Sequence, residues 1–296
     1  MSKTLITISG PTAVGKTKLS IDLAMILNCE IISSDSRQFY KELSIGTAVP
    51  TKEELNKVKH HCIQHKSILE SYSIKDFEKE ALNIITNQFK TYKYVIMVGG
   101  SGLYMDAVIY GLDEFPKIDN KVRDNLNEKY KKFGIKYLQK TLKKLDLNYY
   151  LQVDKKNPRR LIRALEVCIS SNKPYSSYLK RKKRNHLFNI FHIGIKKDRL
   201  ELYDKINNRV DEMLKKGLLN EVKSLIKFKD LNVLNTIGYK ELFLYLENKT
   251  TIERSVEEIK KNSRRFAKRQ ITWLNSKENI FWVDDKTNIE EIKNIL

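Results

Sequence analysis

The residues with the clearest chemistry lie near the start of the chain. Gly10-Pro11-Thr12-Ala13-Val14-Gly15-Lys16-Thr17 reads GxxxxGK[ST], the pattern of a phosphate-binding loop. Its glycines let the backbone wrap an anion with N–H groups pointing inward. Lys16 supplies a point charge, and Thr17 a hydroxyl for a Mg²⁺ ion. These residues can hold a di- or triphosphate, and the motif alone does not choose which one. A second chemical group follows at Asp35, within Ser34-Asp35-Ser36-Arg37-Gln38. A carboxylate there has three available roles: general base, Mg²⁺ ligand, or cap of a following turn. A third stretch is Gly99-Gly100-Ser101-Gly102. In P-loop NTPases the strand before such a segment usually ends in an Asp that helps hold Mg²⁺. Its replacement by Gly-Gly-Ser argues against nucleotide hydrolysis and for a substrate that needs close backbone approach.

The elements that must position these groups are legible around them. Leu5-Ile6-Thr7-Ile8 reads as a buried strand, and Lys18 to Leu27 repeats Leu19, Leu23, Ile26 and Leu27 at helical spacing. Cys29 to Ser33 and Tyr94 to Val98 are further apolar, β-branched runs, and Phe188 to Ile195 looks like a strand returning to the same sheet. Strands alternating with amphipathic helices predict an α/β fold with a parallel, P-loop NTPase-like sheet. In such a sheet ligands sit outside the C-terminal strand ends, which puts Asp35 on the same rim as the P-loop. Residues 117 to 184 change character: highly charged, helical in pattern and poor in β-branched runs. The domain expectation is therefore a core of 1–115 and 185–296 with a helical insertion at 116–184.

Composition bounds the partners. Lys and Arg number 56 against 36 Asp and Glu, a formal charge of +20, which suits a polyanion such as nucleic acid. A Lys-rich compositional bias gives the same number. Arg159 and Arg163 stand four apart after Pro158, and Lys180-Arg181-Lys182-Lys183-Arg184 closes the insertion. From Val256 to Leu274 one stripe carries Lys260, Arg264 and Lys268, and a second Lys261, Arg265 and Arg269, with Trp273 one turn on. That interleaving fits a nucleic-acid groove as well as it fits a solvated helix over a core of Phe266, Ile271 and Trp273. The three cysteines lack any CxxC pairing, which points to a reduced cytoplasmic compartment. No run approaches a membrane span, so no membrane partner is expected. His61 and His65 are four apart, but no second Cys/His pair closes a tetrahedral zinc site.

Six segments in order carry a resemblance: GPTAVGKT, SSDSRQFYKELSIGTA, GGSGLY, NPRRLIRALEV, IGYKE and RRFAKRQITW. Together they resemble the tRNA dimethylallyltransferases, the bacterial type of tRNA isopentenyltransferase. The resemblance implies transfer of a dimethylallyl group from its diphosphate to N6 of the adenosine 3′ of the anticodon. It implies that residues 12–17 grip the donor diphosphate rather than ATP, with Mg²⁺ on Thr17. Asp35 becomes the general base. Ser36, Arg37, Gln38 and Ser101 line the tRNA side, Arg209 assists the diphosphate, and Arg123 and the stretch Arg159, Arg160, Leu161, Ile162, Arg163 touch tRNA, as do Lys268 and Arg269. Ser101 stands where the family usually has Thr, and Arg159 where it usually has Gln. No zinc finger follows the core, in keeping with the bacterial form. The implied partners are the tRNA anticodon stem-loop and dimethylallyl diphosphate, acting on a monomer. Competing functions are a free-nucleotide isopentenyltransferase, a P-loop kinase or nucleic-acid-dependent ATPase, and a tRNA-binding module without chemistry.

Overall fold

The computed structural model describes residues 2–116, 118–179 and 184–296. The basic residues 180–183 singled out above lie outside the described residues. Two compact units form: one from the N-terminal segment through Ile109 together with Asn185–Leu296, the other from Tyr110–Arg184. The second unit thus begins at Tyr110, ahead of the composition change at Pro116.

In the first unit, β1 (Thr4–Ser9) leads through the P-loop into α1 (Lys16–Leu27). Then come β2 (Ile31–Ser33), α2 (Lys52–Lys57), β3 (His60–His61), α3 (Ile74–Gln88), β4 (Tyr94–Gly99) and α4 (Gly102–Tyr110). All six strands of the sheet are parallel, in the order β3-β2-β4-β1-β5-β6, where the last two are Asn189–Ile195 and Ile280–Val283. β1 is buried at every position, as a central strand covered on both faces must be. Its register pairs Ser9 with Gly99 of β4 and with Gly194 of β5. Ser33 pairs with Val98. The C-terminal ends of β1, β2 and β4 therefore finish side by side. β3 is only two residues long and pairs with Ile31 and Ile32 at the sheet edge. Too short to show any alternation, it falls where the sequence suggests loop.

The P-loop closes on Gly15, whose φ of 104° is the left-handed conformation that glycine takes without strain. α1 ends on Asn28, also left-handed, whose N–H returns to Ala24 and Met25. Thr51 and Ser73 form capping boxes for α2 and α3 with Glu54 and Asp76. β4 ends in glycine for steric reasons. A Cβ at Gly99 would strike Ser34, and one at Gly100 would strike Gln270.

The second unit holds α5 (Asn120–Phe133), α6 (Ile135–Leu145), α7 (Leu147–Gln152) and α8 (Pro158–Ser171). Asn157 caps α8, with Pro158 in its first turn. Leu126, Leu138, Leu142, Leu161 and Leu165 form its own small core. The first unit resumes with the strand at Asn189 and α9 (Arg199–Lys215), α10 (Leu218–Ser224), α11 (Tyr239–Leu246), α12 (Ile252–Leu274) and α13 (Ile289–Ile295). Among the described residues no helix is long and apolar enough to cross a membrane.

Candidate active site and nucleic-acid surface

The three strand ends converge on one cleft. It is lined by Lys16, Thr17 and Ser20 from α1, Ser33, Asp35 and Gln38 from the end of β2, and Val98 and Gly99 from β4. Pro50, His60 and Ile63 complete its far wall, and the whole encloses about 360 Å³, part of it open to solvent. The P-loop cation and the Asp35 carboxylate thus face one cavity, as the strand-end argument predicted.

Lys16 turns its ammonium back onto its own loop, donating to Gly10 O at 3.0 Å and Pro11 O at 2.8 Å. Burial and the neighbouring Arg209 charge lower its pKa to about 8, against the pull of Asp35. Arg209 comes from α9, well over a hundred residues away in sequence. Its pKa is lowered by burial, and the Asp35 carboxylate opposes that shift. Two cations and one carboxylate therefore act on one another, Lys16 and Asp35 from the cleft wall and Arg209 from a buried position. An incoming polyanion would raise the Lys16 pKa again.

The base loop is held from several sides. Asp35 accepts from the Arg37 N–H at 3.0 Å, a local turn that fixes its carboxylate. The Ser36 N–H donates to Ser101 Oγ at 3.1 Å, and the Ser101 hydroxyl donates to Ser36 Oγ at 3.2 Å. Gln38 donates to Thr47 O and Ala48 O and accepts from the Ser33 hydroxyl. The loop after it is pinned by Glu221 of α10, whose carboxylate accepts the N–H groups of Ser44, Ile45 and Gly46. β4 ends without a carboxylate.

Thr17 and Asp35 place hard oxygen donors in the same cleft as Lys16, a donor set suited to a Mg²⁺ ion beside a diphosphate. His60 bonds Val58 O at 2.8 Å, and burial lowers its pKa. Cys62, His65 and Glu80 also come together. Glu80 there already accepts from Tyr72 at 2.8 Å and sits 3.1 Å from His65 and 3.9 Å from Lys66, and burial pushes the Cys62 thiol up to about 12. The Glu80 carboxylate of that corner is thus shared among Tyr72, His65 and Lys66.

The basic surface differs from its sequence outline. Leu161 and Ile162 are buried in the helical unit, so neither side chain is available to RNA. The α8 period turns them inward while Arg159 and Arg160 stay exposed. Arg123 and Arg163 are not solitary cations. Both bond Glu166, which is fully buried: Arg123 through two contacts of 2.6 and 2.7 Å, Arg163 through one of 2.7 Å. Arg163 also lies over the Phe115 ring. Their guanidiniums remain about half exposed, so each presents a fixed edge rather than a mobile one. On α12 the first stripe splits. Lys260 pairs with Asp211 at 2.8 Å and Arg264 donates to Asn207 at 2.6 Å, both on α9. Arg265, Lys268 and Arg269 face solvent.

One residue of the site is not singled out in the sequence, although it lies within the RRFAKRQITW segment. Gln270, buried on the inner face of α12, accepts the Thr12 N–H at 2.8 Å and donates to Gly100 O at 2.9 Å. The available signal was its position on the Ile259, Ala267, Leu274 stripe, where a polar residue must find buried partners.

Comparison with known proteins agrees with this geometry. The family model described as IPP transferase matches residues 38–277. The chain is 53% identical to a tRNA dimethylallyltransferase of Flavobacterium johnsoniae, covering 98% of this chain and 96% of that protein. It is 52% identical to one from Christiangramia forsetii, covering 99% and 97%. Among solved structures, a tRNA isopentenylpyrophosphate transferase from Bacillus halodurans superposes with a TM-score of 0.72 at 38% identity, over 100% of this chain and 94% of that one. A eukaryotic dimethylallyltransferase acting on tRNA superposes at 0.81 and 30% identity, covering 96% and 74%.

Proposed function

Because this chain belongs to the IPP transferase family, we infer that it is a tRNA dimethylallyltransferase that moves a dimethylallyl group from dimethylallyl diphosphate to N6 of the adenosine 3′ of the anticodon. The observation that carries the mechanism is the meeting of Lys16 and Asp35 at one cleft, with the buried Arg209 charge felt by both, and with the end of β4 beside it lacking a hydrolytic carboxylate.

The P-loop N–H groups and Lys16 hold the diphosphate, with its dimethylallyl chain toward Pro50, Ile63 and Val98. Thr17 would hold a Mg²⁺ ion, which would supply positive charge to the leaving diphosphate. As the C1–O bond breaks, charge builds on the bridging oxygen, where Lys16 and Arg209 stabilise it. The adenine amino group is a weak nucleophile. Asp35 accepts its proton as the N6–C1 bond forms, and pyrophosphate leaves. The adenosine must leave its stack to reach Asp35. Ser36, Arg37, Gln38 and Ser101 surround that approach. Phosphates of the anticodon stem-loop meet Arg123, Arg159, Arg160 and Arg163 on the helical unit, and Lys268 and Arg269 on α12. The enzyme acts as a cytoplasmic monomer. The test is incubation with dimethylallyl diphosphate, Mg²⁺ and an unmodified anticodon stem-loop, followed by mass measurement of the RNA. A gain of one dimethylallyl group on that adenosine is expected; an unchanged RNA mass with steady ATP hydrolysis would replace this reaction with an ATPase.

A further inference from the structure

α12 reaches both halves of the reaction site while exposing a cationic face. On its inner side the Gln270 amide is fully used between two backbone groups, the P-loop N–H of Thr12 and the carbonyl of Gly100. One turn on, Trp273 fills the space that the absent Cβ of Gly102 leaves, and its Nε1 donates to Asp106 at 2.9 Å. Ser101, between those two glycines, bonds Ser36, which adjoins Asp35. Hydrogen bonds thus tie α12 to the diphosphate loop and to Gly100, whose chain neighbour Ser101 bonds the base loop. On the outer side of the same turns, Arg265, Lys268 and Arg269 are exposed, and Arg269 immediately precedes Gln270.

We propose that Gln270 is a positioning residue that couples RNA held on the outer face of α12 to donor binding in the P-loop. The proposal rests on the functional assignment above, since it needs both ligands. An amide suits this place because the two partners are one donor and one acceptor, and only a group with both functions satisfies them together. Removing it leaves two backbone groups of the site unpaired. RNA phosphates on Lys268 and Arg269 fix the α12 backbone. Gln270 then holds the Thr12 N–H and Gly100 in the register that receives the diphosphate. Coupling of this kind is reciprocal, so each ligand tightens the other by one common factor. Two polyanions acting only through charge would instead oppose each other, and more so at low salt. The sign of the effect therefore separates the two mechanisms.

The experiment uses the full chain, inorganic pyrophosphate with Mg²⁺ as the donor-site probe, and an unmodified anticodon stem-loop. Pyrophosphate affinity is measured by calorimetry with and without saturating RNA at fixed ionic strength, and RNA affinity with and without pyrophosphate. In the unaltered protein RNA should tighten pyrophosphate about 5-fold or more, with the same factor in reverse. Gln270→Met keeps the length without the amide. It should bind each ligand alone while the factor falls toward 1. Gln270→Asn, too short to span Thr12 and Gly100, should lose most of the factor too, and decides the matter if the Met variant melts at the assay temperature. A full factor retained in the variants would overturn the proposal, as would no positive factor in a protein that binds both ligands. Failure of the unaltered protein to bind RNA or pyrophosphate singly is a different result and would count against the functional assignment instead.

Discussion

Raising the pH from 7 to 9 should weaken donor binding through Lys16. Its pKa is lowered to about 8 by burial and by Arg209. The free enzyme then carries this charge on roughly 90% of molecules at pH 7 and roughly 10% at pH 9. A bound diphosphate raises the pKa again, because an adjacent anion favours the charged form. Binding above pH 8 must therefore take up a proton. The sign follows: affinity is full below the free-enzyme pKa and falls as pH rises through it. Between pH 7 and 9 the loss is about tenfold, or about 1.4 kcal/mol. The diphosphate itself contributes little in this window, since phosphate second ionisations lie near pH 6. His60 in the same cleft has a lowered pKa and stays neutral throughout. The assay is dimethylallyl diphosphate affinity by calorimetry at constant ionic strength in buffers of different ionisation enthalpy, which reads proton uptake directly. Lys16→Met should bind weakly with no pH trend. A flat affinity from pH 7 to 9 with no proton uptake in the unaltered protein would refute the reasoning.

Asp35→Asn should lower the single-turnover rate by roughly 10²–10⁴ while leaving RNA affinity within a few-fold, as for a removed general base; a rate near that of the unaltered enzyme would take Asp35 out of the mechanism. Lys268→Ala should reduce the slope of log RNA affinity against log salt by about 0.7–0.9, whereas Arg264→Ala, tied to Asn207, should leave that slope unchanged. Equal slopes for both would mean that exposure on α12 does not select the RNA contacts. Glu166→Gln should lower stability to urea by about 1–3 kcal/mol and loosen Arg123 and Arg163 together; an unchanged midpoint would mean the buried carboxylate does not organise them.

Local patterns explain what was legible in the sequence. The P-loop, the strand before it, the helix after it and the Gly-Gly-Ser end of β4 all encode their roles within a few neighbouring residues. The place of Asp35 was legible too, because the strand before it tells where the rim lies, whereas its assignment as base came from the family resemblance. What escaped depends on partners distant in sequence. Spacing by fours put Lys260 and Arg264 on one stripe of α12, but only the packing of α9 against it, with Asn207 and Asp211 at matching spacing, turns that stripe inward. Likewise nothing beside Arg123 in the sequence announces Glu166, its partner on another helix. Gln270 was hidden among arginines and lysines, although its place on the buried stripe of α12 was already a reason to look for partners.

The strand order has a consequence for synthesis. β1 lies between β4 and β5, but β4 ends at Gly99 and β5 begins at Asn189. A ribosome adding about 5–20 residues per second needs roughly 5–18 s to make the intervening chain. Throughout that interval the nascent sheet offers an unpaired edge along β1, a strand buried at every position in the finished sheet. The helical unit emerges in the meantime with a core built from near neighbours, and local contacts of that kind form fast. The order of synthesis therefore completes the helical unit before the sheet can close, and chaperones that shield strand edges should engage this chain chiefly while residues 100–189 are being made.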